Sequence, residues 1–176
     1  MRIKVTETKV YPFSELSETA KEKALEQCRE FQVDFEWWHF VYDDAEQIGL
    51  KLREFDIDRA SYCRGEFIEY AKDTAEKIIE NHGETCETFQ TAENYGKECA
   101  SLWQVLPEKL DDDGYDENET ARDDEQEDLD SEFLKSILED YRIILQKEYE
   151  YLTSEKVIIE MIEVNEYEFT EEGKLA

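Results

Sequence analysis

The sequence predicts an α+β fold that is mainly helical, with a small antiparallel sheet and a long antiparallel helical hairpin. Three observations lead there. Apolar residues recur at spacings of three and four through most of the chain, the period of an amphipathic helix. In a few short stretches they alternate instead, the period of a half-buried strand. Of the 176 residues, 40% are hydrophobic and 12% aromatic, enough apolar material for a core although 39% are charged. The whole of residues 1–176 reads as a single domain, with residues 86–152 forming the hairpin as an extension.

Residues 2–6 alternate, with Ile3 and Val5 on one face, and predict a short strand closed by Pro12. Ser17 is placed to cap a helix whose apolar stripe is Leu16, Ala20, Ala24, Cys28 and Phe31. Asp34 caps a second helix, with Phe35, Trp38, Tyr42, Ala45 and Ile48 inward and Gly49 near its end. Alternation over residues 54–58 and again over 62–68 predicts a hairpin. Residues 70–82 predict a third helix, with Ala71, Ala75, Ile78 and Ile79 inward and Gly83 as its stop. A short helix over 154–164 precedes an alternating stretch through Tyr167 and Phe169, a strand that would pair with the N-terminal one.

Two longer helices make the hairpin. Phe89, Ala92, Gly96, Cys99, Trp103 and Leu106 repeat as a heptad seam, with Trp103 buried in it, and a second seam runs through Leu134, Ile137, Leu138, Tyr141, Ile144, Leu145 and Leu152. Packed antiparallel, they would extend roughly 30 Å at about 1.5 Å per residue. A homodimer across the first seam is the other arrangement the pattern allows. Residues 108–130 hold 13 Asp and Glu against Lys109 and Arg122, without an apolar period, and are expected to form a flexible acidic loop at the hairpin tip.

Charge is the strongest functional signal. With 48 Asp and Glu against 20 Lys and Arg, the formal net charge is −28, which makes a basic surface the expected partner. Direct nucleic-acid binding is disfavoured, because no Lys or Arg stripe exists to neutralise phosphates. No run approaches the roughly 20 apolar residues of a membrane span, so no membrane partner is expected and a cytoplasmic location is. Cys28, Cys63, Cys86 and Cys99 form no close pair and are expected to stay reduced.

Chemical motifs are few. Asp111, Asp112, Asp113 and Gly114 look like the start of a calcium-binding loop, but aligning Gly114 at position six puts Lys109 at position one and Thr120 at position twelve, where carboxylates are required. His39 and His82 are far apart and have no ligand set at helical spacing. Cys63 beside Arg64 has one basic neighbour to lower its pKa. No catalytic residue, cofactor-binding residue or metal ligand is assigned, and no cofactor is expected. The residues proposed to meet a partner are Trp37, as an exposed member of the Trp37–Trp38 pair, and the acidic Asp111, Asp112, Asp113, Asp116, Glu117, Asp123, Asp124 and Glu125.

The stretches Val10-Tyr11-Pro12-Phe13-Ser14-Glu15-Leu16-Ser17, Asp34-Phe35-Glu36-Trp37-Trp38 and Asn165-Glu166-Tyr167-Glu168-Phe169-Thr170-Glu171-Glu172-Gly173-Lys174 resemble a widespread group of small acidic phage and prophage proteins. Some of these are labelled "antitoxin of toxin-antitoxin stability system". The shared stretches are structural, and they bring no site residue with them. Phages use small acidic proteins to block host defence enzymes by occupying their DNA-binding surfaces, and 28 net charges match the phosphates of about 14 base pairs. The leading expectation is therefore a phage-encoded, DNA-mimic-like inhibitor of a nucleic-acid-binding bacterial defence protein. The alternatives are an antitoxin that neutralises a cognate toxin by direct binding, and a metal-dependent accessory enzyme.

Overall fold

Short-range sequence signals set most of the elements found in the computed structural model, which describes residues 9–176. The fold is α+β and mainly helical, with two small antiparallel sheets of two strands each. The strand expected over residues 2–6 lies outside the described residues. The chain divides into two compact units, one comprising Met1–Trp37 with Lys147–Ala176, the other Trp38–Gln146. Among the described residues no helix is long and apolar enough to cross a membrane.

In the first unit, strand β1 (Tyr11–Pro12) leads through a single 3-10 turn into helix α1 (Glu18–Gln32). The hydroxyl of Ser17 accepts the Ala20 amide at 3.3 Å, the expected cap. Ala20, Ala24 and Cys28 of α1, with Leu16 just before it, are buried against Ile158 and Ile162 of helix α6 (Glu155–Val164) and Phe169 of strand β4 (Glu168–Phe169). Phe31, expected among them, is instead exposed. Antiparallel pairing of Tyr11 with Phe169 ties the two ends of this unit together. Gly173, at φ +84°, lies so close to α1 that a Cβ would stand 2.1 Å from the Ala20 carbonyl oxygen, so only glycine fits there.

The second unit's first helix is α2 (His39–Gln47), which starts four residues later than a cap at Asp34 suggested. A tight turn, in which the Trp37 amide donates to the Phe35 carbonyl at 2.7 Å, occupies the intervening residues and leaves Phe35 exposed. It also separates the tryptophans. Trp37 is buried in the first unit with its ring 5.6 Å from that of Tyr149, whereas Trp38 meets Phe55 edge-on in the second. Trp37 is therefore a core residue and not an exposed anchor, a correction to the expected partner set.

Strands β2 (Leu50–Asp56) and β3 (Tyr62–Phe67) form the expected hairpin, but β2 begins four residues before the expected 54–58 and buries Leu50 and Leu52, with a register irregularity between Leu52 and Glu54. Helix α3 (Ala71–Asn81) buries Ala71, Thr74, Ala75 and Ile78. Helices α4 (Glu87–Val105) and α5 (Glu119–Leu152) run antiparallel, since Thr91 bonds Asp140, Tyr95 bonds Asp130 and Gln126 lies against Cys99. The buried face of α4 is rotated from the expected seam: Thr88, Ala92 and Tyr95 point inward, while Gly96 and Trp103 are exposed. The cause is that α4 packs most closely on α3 as well as facing α5, so no single heptad seam can serve it. On α5, Phe133, Ile137, Tyr141 and Leu145 form the buried row, and Phe133 stacks between Tyr95 and Phe67.

Candidate functional site

The acidic stretch contains the largest departure from expectation. Residues 119–130 are the first turns of α5, and only the segment before them is a connection. Periodicity missed this because the inward stripe there is polar: Arg122, Gln126 and Asp130, spaced by four, take the places apolar residues would occupy. Each is satisfied. Gln126 Nε2 donates to Asp130 Oδ1 at 2.6 Å and to the Tyr95 hydroxyl at 3.1 Å and lies 3.4 Å from Cys99 Sγ, and Tyr95 donates to Asp130 at 2.6 Å. Burial, followed by the bond to Asp130, holds the Tyr95 phenol far above its ordinary range.

The connection is ordered around Asp116. Its carboxylate accepts the amides of Lys109 at 2.9 Å and Asn118 at 3.0 Å and pairs with Arg122, and these donors hold it down to about 2, the Lys109 amide foremost. Arg122 also donates to the Leu106 carbonyl at 3.1 Å and lies 4.2 Å above the Trp103 ring. The Asp111 carboxylate is likewise engaged, accepting the Asp113 and Tyr115 amides at 2.9 Å, and Glu117 pairs with Lys109. Of the eight acidic residues expected to meet a partner, Asp111, Asp116 and Glu117 thus hold the turn together. Asp112, Asp113, Asp123, Asp124 and Glu125 remain exposed.

The last three belong to a ridge. Glu119, Asp123, Asp124, Glu125, Glu127 and Asp128 are exposed on α5, and among the described residues none has a cationic partner within 4 Å. At about 1.5 Å per residue the six occupy roughly 15 Å, or about one charge per 2.5 Å. Duplex DNA carries one per about 1.7 Å and a single strand one per about 3.4 Å.

Beside the ridge, α3, α4 and α5 enclose an open cleft of about 1030 Å³. Its floor is made of small residues, Ala75, Ala92, Gly96 and Ala100, and its apolar edge of Tyr70, Ile79 and Trp103, all exposed. Lys72, Asp73, Glu76, Glu80, Glu93 and Lys97 stand around it, with Gln126 and Asp130 on the α5 wall. Sequence reasoning missed this cleft because it assigned Gly96 and Trp103 to an internal seam. The available signal was Gly96 itself, a glycine in mid-helix without a turn to explain it.

A second polar cluster lies among α2, α3, α4 and α5. His82 sits in hydrogen-bond contact with Thr88 at 2.7 Å and 3.7 Å from Asp44, which also accepts the Tyr141 hydroxyl at 2.7 Å. The arrangement looks like a nucleophile relay, but the Thr88 hydroxyl is buried under the start of α4, so these bonds tie α2, α3, α4 and α5 together. The idea that Arg64 activates Cys63 is overturned, since burial, with Glu139 adding to it, pushes the thiol up to about 11. All four cysteines are free, and among the described residues no three His, Cys, Asp or Glu are arranged to hold a metal ion. Comparison with family models, curated proteins and solved structures returned no match.

Proposed function

We propose that the protein is a phage-encoded inhibitory binding protein of the bacterial host cytoplasm, which occupies the basic, nucleic-acid-binding surface of a host defence protein. The observation that supports this best is the α5 ridge: six carboxylates on a helix, without a cationic partner within 4 Å among the described residues, at a linear charge density between those of single- and double-stranded DNA. Carboxylates already ordered by a helix lose less entropy on association than the same groups in a mobile loop. The net charge of −28 adds long-range attraction and speeds encounter.

The test is to capture the bound protein from a bacterial lysate, identify it, and measure its association rate against ionic strength. Screening contracts from about 10 Å at 0.1 M salt to about 3 Å at 1 M, so the rate should fall steeply, and Asp123→Asn, Asp124→Asn and Asp128→Asn combined should reproduce the fall at low salt. A rate indifferent to both salt and the triple variant would reject the charge mechanism. It would favour the second reading, an antitoxin gripping its cognate toxin through an apolar contact, for which the exposed Trp103 and Ile79 are the supporting observation.

A further inference from the structure

Gly96 presents a contradiction inside α4. A glycine in a helix interior weakens the helix, and such a residue is usually explained by a close approach or a left-handed backbone. Neither applies here: its φ is not positive, and a Cβ built on it would meet nothing within 4 Å. The space above it is the open cleft, and any side chain longer than alanine would project into it. The missing side chain keeps the floor low without serving any internal contact.

The walls of this trough carry an uncompensated sign. On α3, Asp73 and Glu80 have no cationic partner within 4 Å among the described residues, while Lys72 is drawn to Glu76 and Lys97 to Glu93. On α5, Asp130 lines the cleft and adds a carboxylate to that wall, further along the helix than the exposed Asp123, Asp124 and Glu125. An apolar floor between two acidic walls complements one kind of object, a helix with an apolar stripe and basic flanks. A second copy of the chain would bring another −28 against the same walls. The volume, about 1030 Å³, stands at the upper end of the roughly 300–1,000 Å³ of small-molecule sites and suits a helix face better.

We infer that the cleft between α3, α4 and α5 receives the apolar face of a basic amphipathic helix of the partner protein, whose Lys and Arg side chains reach the carboxylates of the two walls. This rests on the reading of the partner as basic and adds the apolar anchor that charge alone does not supply.

The experiment uses the full chain and two fluorescein-labelled Leu/Lys peptides of identical composition, about 18 residues long, roughly 27 Å as a helix. One has its Leu at helical spacing, and the other is permuted to destroy the stripe. The striped peptide should bind at least about tenfold more tightly than the permuted one. Gly96→Leu should remove that advantage while circular dichroism and melting temperature hold or improve, and Gly96→Ala should leave binding intact. Equal, salt-sensitive binding of both peptides, or a striped peptide indifferent to Gly96→Leu, overturns the cleft inference and leaves the charge reading standing. Binding of neither peptide at low salt overturns both. A concentration-dependent dimer broken by Gly96→Leu would assign the cleft to a second copy and overturn the inference too.

Discussion

Arg122 and Asp116 form an ion pair in which each side chain is only 10% exposed, at the foot of the most acidic helix of the chain. Arg122 is one of two bases among the 23 residues from 108 to 130, and it is used internally: its guanidinium closes the turn onto Asp116 and the Leu106 carbonyl and covers Trp103. The ridge beyond it therefore starts from an anchored point and, among the described residues, has no cation within 4 Å.

Arg122→Ala should unfold the hairpin tip and lower stability, because it leaves the Asp116 carboxylate and the Leu106 carbonyl without their guanidinium partner. The loss is read from a urea melt, with the Trp103 emission moving toward that of a solvated indole. A melt coincident with the parent would mean that the turn is held by its backbone bonds alone.

The pH dependence of that pair has a defined sign. The Asp116 carboxyl is held down to about 2 from an ordinary 3.8, chiefly by the Lys109 amide and Arg122, so its contribution is complete above about pH 4 and disappears as pH falls through 2. The difference in stability between the parent and Asp116→Asn should accordingly shrink across that window. Comparing the two variants cancels the opposite trend of the many exposed carboxylates, whose mutual repulsion acid relieves. A difference constant from pH 5 to pH 2, followed by circular dichroism, would refute the assignment.

Trp103 and Ile137 should respond unequally to truncation although both were expected inside the hairpin. Ile137→Ala, fully buried, should cost about 2–5 kcal/mol. Trp103→Ala, at 56% exposure, forfeits mainly its stack with Arg122, about 0.5–1 kcal/mol. Thermal denaturation orders the two, and a Trp103 cost equal to that of Ile137 would put the indole back in the core.

Thiol chemistry distinguishes the cysteines. Cys86 is exposed at the start of α4, whereas burial raises the pKa of both Cys28 and Cys63, the latter to about 11. Iodoacetamide at pH 8 should label Cys86 first and Cys63 slowly, with mass spectrometry of the digested protein as the readout. Preferential labelling of Cys63 would mean that Arg64, and not burial, governs it.

Local order was legible from the chain itself. Ser17 as a cap, the stripe Leu16, Ala20, Ala24 and Cys28, the β2–β3 hairpin, α3 and α6 all follow from neighbours within a turn or a strand, which periodicity and capping chemistry read directly. The candidate site was half legible: its sign followed from composition, and Asp112, Asp113, Asp123, Asp124 and Glu125 are exposed as expected. Tertiary structure alone decided the rest. That residues 119–130 are helical depends on Arg122, Gln126 and Asp130 finding partners 16 to 35 residues away in Leu106, Tyr95 and Cys99, and a polar inward stripe has no apolar period to betray it. Likewise the direction Gly96 and Trp103 face depends on α4 packing against two helices at once, and a heptad pattern encodes only one such neighbour.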